Sequence, residues 1–600
     1  MLRSKTDLIE NTCVFLTKTQ VGRPELWKKL VDQFRFRTDK TGHYRGEYWG
    51  KIMRGAALIC TYTQDDELYN TLETTARDMM ALCTEDGITS HRKGNEFTGW
   101  DIWCRKYVAV GLEYFYDICR SEELKKEILI VLKRHLLAIA DRIGREEGKK
   151  DICAASRNWG GLNSCSILKA YVVAYRLTGE KKLLDFASYI VSTGGSKDFD
   201  FVKAALQGAP LCSYGYPKAY EATSFFEGLL EYGRLMNDEK LLTACKNYAR
   251  SLLNEEFTVV GSGACAVECF NYSAVSQTYP RKKPMQETCV TVSYMLYFNE
   301  IYKLTGDGVY LDAMERSFYN AYLGAMNETA PAKTVLPIDW YSPLVGGKRA
   351  NVCTAGKQTF SDGSFYSCCT AIGPAGVGVY ATEATVVEGD TVSFRFYENT
   401  AFAVGNVTIC EKTDYPSDGK ISLTFSGGVK EMKLSFRIPA WCENFSLSLN
   451  GKEIEKNIQN GFVWVSETFN EGDEIVLSLD MPYVSHRMAA GRFKGGFVYF
   501  SKGPIVYAAD RRYAKLFTAF PICDQHAPDL DFSYTTQENG DCISKVKVKK
   551  GIREITLIDY ASAGSTYDNR SRLNVFISYR TRGFGNVLAC ALDRINRIDS

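Results

Sequence analysis

The chain has 600 residues, of which 45% are hydrophobic, and this length and composition predict a globular protein of two or three domains. Its 73 Lys and Arg residues are interspersed with 71 Asp and Glu residues, for a net charge of +2, so no nucleic-acid-binding face is expected. The sequence contains no run of eighteen consecutive apolar residues, so no membrane-spanning helix and no membrane partner are expected.

The first twenty residues, MLRSKTDLIENTCVFLTKTQ, lack an apolar run long enough for a secretory signal, which predicts a cytoplasmic protein. Twenty cysteines could indicate a disulfide framework, but Cys60, Cys119 and Cys245 lie singly inside apolar helical patterns. Free cysteine in such a pattern behaves as a small hydrophobe. Most of the cysteines are therefore expected in the core, and those that cluster with other metal-ligand types require another explanation.

Five short polar turns separate pairs of helical patterns at intervals of roughly 55 to 70 residues. They are CTYTQDDEL (60–68), YDICRSEEL (116–124), YRLTGEKKLL (175–184), YGRLMNDEKLL (232–242) and YKLTGDGVYL (302–311). Helical hairpins that cannot bury their apolar faces alone must stack on neighbours. With an N-terminal helix and the segment after 311, this pattern predicts an (α/α)6 barrel over residues 1–380. Loops rich in Gly, Trp and Tyr between the hairpins favour a central cavity over an open solenoid.

Beyond residue 380 the sequence alternates apolar and polar residues, with turn signals about every 8–12 positions. Examples are DTVSFRFYENT, KISLTFSGG, MKLSFRIPAW and DEIVLSLDMP. Alternation of this kind is typical of an antiparallel β-sandwich. We therefore predict a jelly-roll-like β region over residues 381–600, in one or two subdomains.

One carboxylate and three sulfurs form a candidate metal site, in the motifs Glu287-x-Cys289 and Cys368-Cys369. Thiolate and carboxylate ligands in this number suit tetrahedral Zn²⁺. The spacing matches no common zinc finger, and the alternative is two buried cysteines and a surface glutamate. Glu268, in the loop-like stretch GSGACAVECFNYS, would be a general acid/base if paired with a reactive thiolate, and a solvated loop residue otherwise.

These motifs resemble glycoside hydrolase family 127, the family of β-L-arabinofuranosidases with a zinc-bound cysteine nucleophile. The resemblance extends from RGEYWGK (45–51) to ITLIDYASAG (555–564) and is carried by ETC (287–289), CC (368–369), ECF (268–270), RIPAWC (437–442), LNGKEI (449–454) and GPIVYAAD (503–510). It implies an (α/α)6 barrel followed by β-sandwich domains, as the periodicity also predicts. Members of the family often dimerise through a β domain, so a homodimer is expected by analogy.

Carried over residue by residue, the resemblance implies that Zn²⁺ is bound by Glu287, Cys289, Cys368 and Cys369. It makes Cys368 the nucleophile and Glu268 the acid/base, although the segment between Glu268 and the ETC motif is slightly longer here than in the family. The implied activity is that of a retaining exo-glycosidase, which removes a terminal furanoside, with β-L-arabinofuranose as the first candidate and a glycoside or oligosaccharide as substrate.

The sugar-binding histidines of the family have no counterparts at the matching helices of this chain. Rough alignment places WDIWCRKY (100–107), Ser166 and Lys218 there instead. The predicted sugar-binding residues are Asp101, Arg105, Trp159, Lys218 and His91. Each has an alternative role, because charged residues are often solvated or structurally paired and a tryptophan can belong to the core.

Two other functions stay open at this point. A pocket with Lys218 and Arg105 would suit a carboxylated furanoside of plant pectin such as aceric acid, which relatives in the family also handle. From a different class, the chain could be a zinc-stabilised carbohydrate-binding protein without turnover. Binding alone requires neither Glu268 nor the cysteine cluster, which favours an enzyme.

Overall fold

The computed structural model describes residues 6–40, 43–156, 158–278, 286–328, 336–339, 341–349, 357–360, 362–488, 496–515, 519–521, 531–538, 540–566 and 572–580. The last twenty residues, for which the pattern predicts a continuation of the strands, lie outside these ranges. No helix within them combines the length and the apolar character needed to cross a bilayer.

The helices precede almost all of the strands along the chain. The α-helices in the described ranges are α1 Leu8–Leu16, α2 Pro24–Arg35, α3 Glu47–Thr63, α4 Asp66–Met80, α5 Asp101–Ile118, α6 Glu122–Ala140, α7 Leu162–Cys165, α8 Leu168–Thr178, α9 Lys181–Ser192, α10 Phe201–Leu206, α11 Ala219–Met236, α12 Glu239–Ser251, α13 Ser273–Ser276, α14 Thr288–Thr305, α15 Val309–Arg316 and α16 Cys368–Thr382. π-Helical turns at Thr17–Val21, Leu252–Glu256 and Ser317–Tyr322 extend α1, α12 and α15.

Six of these helices form a closed inner ring. Each packs on the next in the order α3, α5, α8, α11, α14, α16, and α16 closes the ring by packing on α3. Nearly every residue of α3, α5 and α11 is buried, including charged ones, because an inner helix is covered by both the outer helices and its ring neighbours. The outer helices α4, α6, α9, α12 and α15 each follow an inner helix and pack on it. This arrangement is the predicted (α/α)6 barrel.

The five predicted polar turns each connect an inner helix to the following outer helix. Asp65, Ser121 and Asp238 begin α4, α6 and α12 by accepting hydrogen bonds from first-turn backbone N–H groups. Gly179 and Gly306 end α8 and α14 in the left-handed conformation, which costs glycine little. The helical-hairpin prediction is therefore confirmed, with turn chemistry as its local cause.

The strands are mostly short and concentrate after residue 384. They are β1 Gln286–Glu287, β2 Tyr341–Ser342, β3 Val345–Lys348, β4 Lys357–Thr359, β5 Phe365–Ser367, β6 Thr385–Glu388, β7 Thr391–Phe394, β8 Thr400–Val404, β9 Val407–Thr413, β10 Lys420–Ser426, β11 Lys430–Arg437, β12 Phe445–Leu449, β13 Lys452–Glu453, β14 Asn457–Gln459, β15 Phe462–Phe469, β16 Glu474–Leu479, β17 Tyr483–Met488, β18 Gly496–Lys502, β19 Ile505–Asp510, β20 Ala519–Pro521, β21 Ser533–Thr536, β22 Lys545–Lys550, β23 Arg553–Asp559, β24 Arg572–Asn574 and β25 Ile577–Arg580.

Two sheets face each other directly after the barrel. One has the strand order β13-β12-β16-β10-β9-β8 and the other β14-β15-β11-β7-β6, and the pairing is antiparallel except between β7 and β11. Rings from the two sheets meet in the shared core, where Phe425 and Phe469 stack with centroids 4.4 Å apart. The predicted β-sandwich fold is therefore confirmed for this region.

A third, larger sheet is built from β17 to β25. It also takes in β3, which precedes α16 in the chain and pairs with β24, so the helical and C-terminal parts share a sheet. The last helix ends at Thr382 and β6 begins at Thr385, close to the predicted division at 380. The two-domain boundaries themselves stay a prediction, as does dimerisation.

Candidate active site

Four candidate metal ligands lie in the first turns of two neighbouring inner helices. Glu287 is the N-cap residue of α14 and Cys289 follows two residues later, while Cys368 and Cys369 are the first two residues of α16. Ser367 begins α16, because its hydroxyl accepts a hydrogen bond from the Thr370 N–H at 3.1 Å. The positive ends of two helix dipoles thus point toward these side chains, which favours thiolate and carboxylate there.

The four donor atoms are spaced as a tetrahedral ion would require. The Cys289 and Cys369 sulfurs are 3.4 Å apart, and the Cys369 and Cys368 sulfurs are 3.9 Å apart. Glu287 Oε1 lies 3.5 Å from the Cys369 sulfur and 3.9 Å from the Cys368 sulfur. Zinc–sulfur bonds of about 2.3 Å correspond to sulfur–sulfur separations of about 3.8 Å across a tetrahedron. The donor set and its spacing therefore fit Zn²⁺.

Burial makes this cluster costly to ionise without a cation. Burial, with the neighbouring Cys368 as the next cause, raises the pKa of Glu287 to about 8. Burial also raises the pKa values of Cys289 and Cys369 well above the ordinary thiol value. Among the described residues Glu287 Oε2 is buried without a hydrogen-bond partner. A divalent cation beside Glu287 would stabilise the ionised forms of the whole group.

Glu268 lies in a loop that is paired to the beginning of α11. The Ala219 N–H donates to the Glu268 carbonyl at 3.0 Å, and the Phe270 N–H donates to the Pro217 carbonyl at 2.8 Å. The carboxylate of Glu268 forms an ion pair with Lys218, and its backbone is in the left-handed region with φ 68°. A non-glycine residue held in this conformation is typical of functional loops.

Lys218 connects the Glu268 loop to the thiol cluster and to Trp159. Its Nζ lies 5.5 Å from the centroid of the Trp159 ring. Burial acts to lower the pKa of Lys218, but the carboxylates of Glu221 and Glu287 outweigh it, and the pKa is raised. Three of the residues proposed from the sequence, Glu268, Lys218 and Trp159, are thus brought together beside the candidate metal ligands.

Sequence reasoning missed a buried ion pair on α3. Glu47 accepts a hydrogen bond from the Trp103 indole N–H, and Lys51 Nζ lies 3.3 Å from its carboxylate, with both side chains almost fully buried. Burial is the main cause that raises the pKa of Glu47 to about 7, and Cys368 adds to it. The available signal was the Glu-x-x-x-Lys spacing in RGEYWGK, inside a largely apolar helix.

Asp101, Arg105 and His91 form a separate buried network. Arg105 Nε donates to Asp101 at 2.8 Å, and neither side chain is accessible to solvent. The backbone N–H of His91 donates to Thr89 Oγ1 at 3.0 Å, and the Thr89 hydroxyl in turn donates to the Asp101 carboxylate at 2.5 Å. These contacts account for the three residues structurally, and their role in sugar binding stays a prediction.

A second set of metal-ligand types, Asp39, His91 and Cys104, lies within this network. Asp39 already accepts a hydrogen bond from Ser90 at 2.6 Å, and the guanidinium of Arg45 lies 3.9 Å from its other oxygen. His91 Nε2 is 2.9 Å from the carbonyl of His43. The positive charge beside Asp39 disfavours a cation here, so the thiol cluster is the better candidate metal site.

Comparison with known proteins identifies the family and the fold of the chain. A family model of the β-L-arabinofuranosidase GH127 catalytic domain matches residues 4–372, and that of the GH127 middle domain matches residues 392–481. The structure is similar to a GH127 β-L-arabinofuranosidase from Geobacillus stearothermophilus T6, with a TM-score of 0.71 and 17% identity over 96% of this chain and 99% of that one. The structure is also similar to a second GH127 β-arabinofuranosidase, with a TM-score of 0.69 and 15% identity over 95% of this chain and 93% of that one. At these identities the likeness shows the fold.

A curated relative gives the nearest statement about activity. The non-reducing end β-L-arabinofuranosidase of Bifidobacterium longum subsp. longum is 24% identical over 427 residues, or 64% of this chain. The alignment covers 62% of that protein, so this chain spans less than two thirds of the relative's length. The catalytic-domain match alone spans more than half of the present chain.

Proposed function

Because the chain belongs to glycoside hydrolase family 127, we propose that it is a retaining exo-glycosidase that releases a terminal β-L-arabinofuranose residue. The observation that carries this proposal is the convergence of Glu287, Cys289, Cys368 and Cys369 beside the ion pair of Glu268 and Lys218. A nucleophile and a proton donor are the two groups that a retaining glycosidase requires.

Glu287, Cys289, Cys368 and Cys369 would hold the zinc ion. When bound, zinc would keep the thiols deprotonated and supply the positive charge that balances them. Cys368 differs from its neighbours in one respect that matters for catalysis, because its side chain is partly exposed whereas Cys289 and Cys369 are buried. Access to solvent supports Cys368 as the sulfur that can reach a sugar.

In the proposed reaction, the sulfur of Cys368 attacks the anomeric carbon and the bond to the leaving oxygen breaks. Glu268 gives its proton to that oxygen, so the aglycone leaves as an alcohol. Glu268 then takes a proton from water, the water oxygen attacks the anomeric carbon, and the carbon–sulfur bond breaks to restore Cys368. Two displacements at one carbon give overall retention of configuration.

Lys218 supports the base step of this cycle. Its ammonium pairs with the Glu268 carboxylate, so it favours the ionised form that accepts the proton from water. The same contact holds the carboxylate in one orientation next to Trp159, whose ring could stack on the sugar.

Charge pairing favours a neutral sugar over the carboxylated alternative. Lys218 is paired with Glu268 and Arg105 with Asp101, so neither cation is available to a substrate carboxylate without breaking a buried ion pair. For a zinc-stabilised binding protein without turnover, an accessible cysteine beside a paired acid would have no use, which favours the enzyme.

The test is turnover by reduced, zinc-supplemented protein on nitrophenyl α- and β-L-arabinofuranosides and on a carboxylated furanoside. We expect hydrolysis of the β-L-arabinofuranoside, and in methanol a methyl glycoside of retained configuration by proton NMR. Cys368→Ser should be inactive, whereas Cys410→Ser, a partly exposed cysteine of the β-sandwich, should match the wild type. Failure to hydrolyse the β-L-arabinofuranoside, or a methyl glycoside of inverted configuration, would overturn the proposal.

A further inference from the structure

Three polar side chains inside the barrel have unmet bonding capacity. Lys106 on α5, Asn163 on α7 and Glu221 on α11 are 5%, 0% and 4% exposed. Within the described ranges, both amide atoms of Asn163 and one carboxylate oxygen of Glu221 are buried with no hydrogen-bond partner. A buried polar group without a partner costs about 1–3 kcal/mol, so such groups are normally completed by water or a ligand.

The three side chains come from elements that touch one another. Helix α7 packs on both α5 and α11, so Asn163 lies between the helices of the other two. Lys106 Nζ donates to Ser166 Oγ at 3.1 Å, and that hydroxyl donates to the backbone carbonyl of Asn163 at 2.7 Å. Tyr107 follows Lys106 on α5, and Tyr220 precedes Glu221 on α11. The hydroxyls of these two tyrosines are 2.5 Å apart, and this hydrogen bond holds α5 against α11.

Lys106 and Glu221 also differ in their pairing from several other buried charges of the barrel. Lys51 lies 3.3 Å from Glu47, and Lys169 lies 3.7 Å from Glu227. In the part of the chain that the structure describes, neither Lys106 nor Glu221 forms an ion pair. Lys106 instead lies 4.4 Å from the centroid of the Trp103 ring, and Ser166 Oγ accepts a hydrogen bond from one of its three N–H groups.

Burial is the main influence on the charge of Lys106. It lowers the pKa of Lys106 to about 7, the carboxylates of Glu227 and Glu221 oppose this effect, and the cations Arg54 and Lys51 add to it. An ammonium in this setting gains most from a ligand that supplies oxygen acceptors.

These groups lie next to the proposed reaction centre. Lys218 is the N-cap residue of α11, and Glu221 lies three residues later in the first turn of this helix. Glu221 acts electrostatically on both Lys218 and Glu287. Trp159, whose buried indole N–H has no acceptor among the described residues, precedes Asn163 in the same segment.

We propose that Lys106, Asn163 and Glu221 form the subsite that reads the hydroxyl groups of the terminal sugar, and that this sugar is uncharged. The inference rests on the proposed glycosidase function and extends it to substrate selection. A carboxylate accepts bonds from two adjacent hydroxyls, an amide both donates and accepts, and an ammonium donates to a hydroxyl oxygen. Lys106 and Glu221 give the subsite one basic and one acidic group, so it offers no net positive charge to a sugar that carries a carboxylate.

The experiment compares two ligands that differ at C5, where one carries an alcohol and the other a carboxylate. They are methyl β-L-arabinofuranoside and the acid in which its C5 alcohol is oxidised to a carboxylate. Binding is measured by calorimetry in a Cys368→Ser background, which keeps the neutral glycoside intact and leaves Lys218 paired with Glu268. Glu221→Gln keeps the size of the side chain, and Lys106→Met keeps most of it. Glu231→Gln is the matched control, because Glu231 lies on the same helix but pairs with Arg176 at 2.7 Å.

We expect the dissociation constant of the neutral glycoside to rise about tenfold or more in Glu221→Gln and in Lys106→Met, because each change leaves buried partners unsatisfied. Glu231→Gln should bind like the background protein, and the acid should bind more weakly than the neutral glycoside. Circular dichroism checks that each variant is folded.

Unchanged binding in folded Glu221→Gln and Lys106→Met proteins would overturn the subsite, as would no binding of either ligand. Tighter binding of the acid than of the neutral glycoside would overturn the assignment of an uncharged sugar. Turnover of a nitrophenyl furanoside by the wild-type protein is measured separately. Its absence would count against the glycosidase function, whereas the binding pattern reports on the subsite.

Discussion

The sulfurs of Cys289 and Cys369 lie 3.4 Å apart, although eighty residues separate them in the chain. They meet because α14 and α16 are neighbours in the inner ring and begin at the same end of the barrel. Each helix contributes its first turn, where backbone N–H groups are unpaired and negative side chains are stabilised.

The first prediction concerns metal content. Protein purified under reducing conditions without chelator should contain about one zinc ion per chain, because three thiols and a carboxylate complete a tetrahedral site. Cys289→Ser and Cys369→Ser should lose most of it, and Cys410→Ser should retain it. Elemental analysis by mass spectrometry measures this directly. Full zinc occupancy in Cys289→Ser would show that the ion is bound elsewhere.

A second prediction separates the roles of Glu268 and Cys368. Glu268→Gln should impair substrates with poor leaving groups far more than a nitrophenyl glycoside, because nitrophenolate departs without proton transfer. General acid catalysis contributes a factor of about 10²–10⁴ to the rate. The loss of rate in the variant should therefore differ between the two substrate classes by tens-fold or more. Cys368→Ser should abolish both activities.

Azide provides the control for this assignment. Added to Glu268→Gln, it should partly restore turnover of the nitrophenyl glycoside and yield a glycosyl azide of retained configuration, since azide attacks the thioglycosyl intermediate without a general base. Equal loss on both substrate classes, or an inverted azide, would show that another residue is the acid/base, and Asp101 would be the next carboxylate to test.

A third prediction concerns the contact between the barrel and the β-sandwich. Arg437 on β11 is 1% exposed and reaches both Glu315 and Asp312 on α15. Arg437→Met should destabilise the protein by about 3–5 kcal/mol, because it leaves the buried carboxylate of Glu315 without its cation. Adding Glu315→Gln should recover part of this loss. Urea denaturation measures it, and Lys433→Met, at an exposed position of the same strand, should have little effect. Additive losses in the double variant would contradict the pairing.

A fourth prediction concerns pH and Glu398, which accepts a hydrogen bond from Tyr62 of α3 at 2.7 Å. Burial raises the pKa of Glu398 from 4.5 to about 7. The folded state therefore binds more protons than the unfolded state between pH 4.5 and 7, and stability falls as pH rises through this window.

Glu398→Gln removes this proton linkage. The free energy of unfolding of the variant, relative to that of the wild type, should increase by up to about 3 kcal/mol as the pH rises from 4.5 to 7. It should stay constant above pH 7. Denaturation midpoints at several pH values test this, with the exposed Glu388→Gln as control. A difference that does not change with pH would show that Glu398 is not the titrating group.

The succession of helical hairpins and then strands could be read from the sequence, because apolar periodicity and turn residues act locally. Asp65, Ser121 and Gly179 lie at helix ends where their side chains or backbone freedom are needed, and neighbouring residues alone determine that. The ETC and CC motifs likewise indicated a metal site, since four ligand-type side chains in two short motifs limit the chemistry.

Packing between elements distant in the chain decided which polar side chains meet across the barrel. Lys218, at the start of α11, pairs with Glu268 in a loop fifty residues later, and Trp103 of α5 donates to Glu47 of α3. Periodicity reports that an inner helix is buried on all sides, but not which of its charges faces a neighbour, a ligand or the outer layer. That information depends on the rotation of each helix about its axis, which is set by packing against residues distant in the chain.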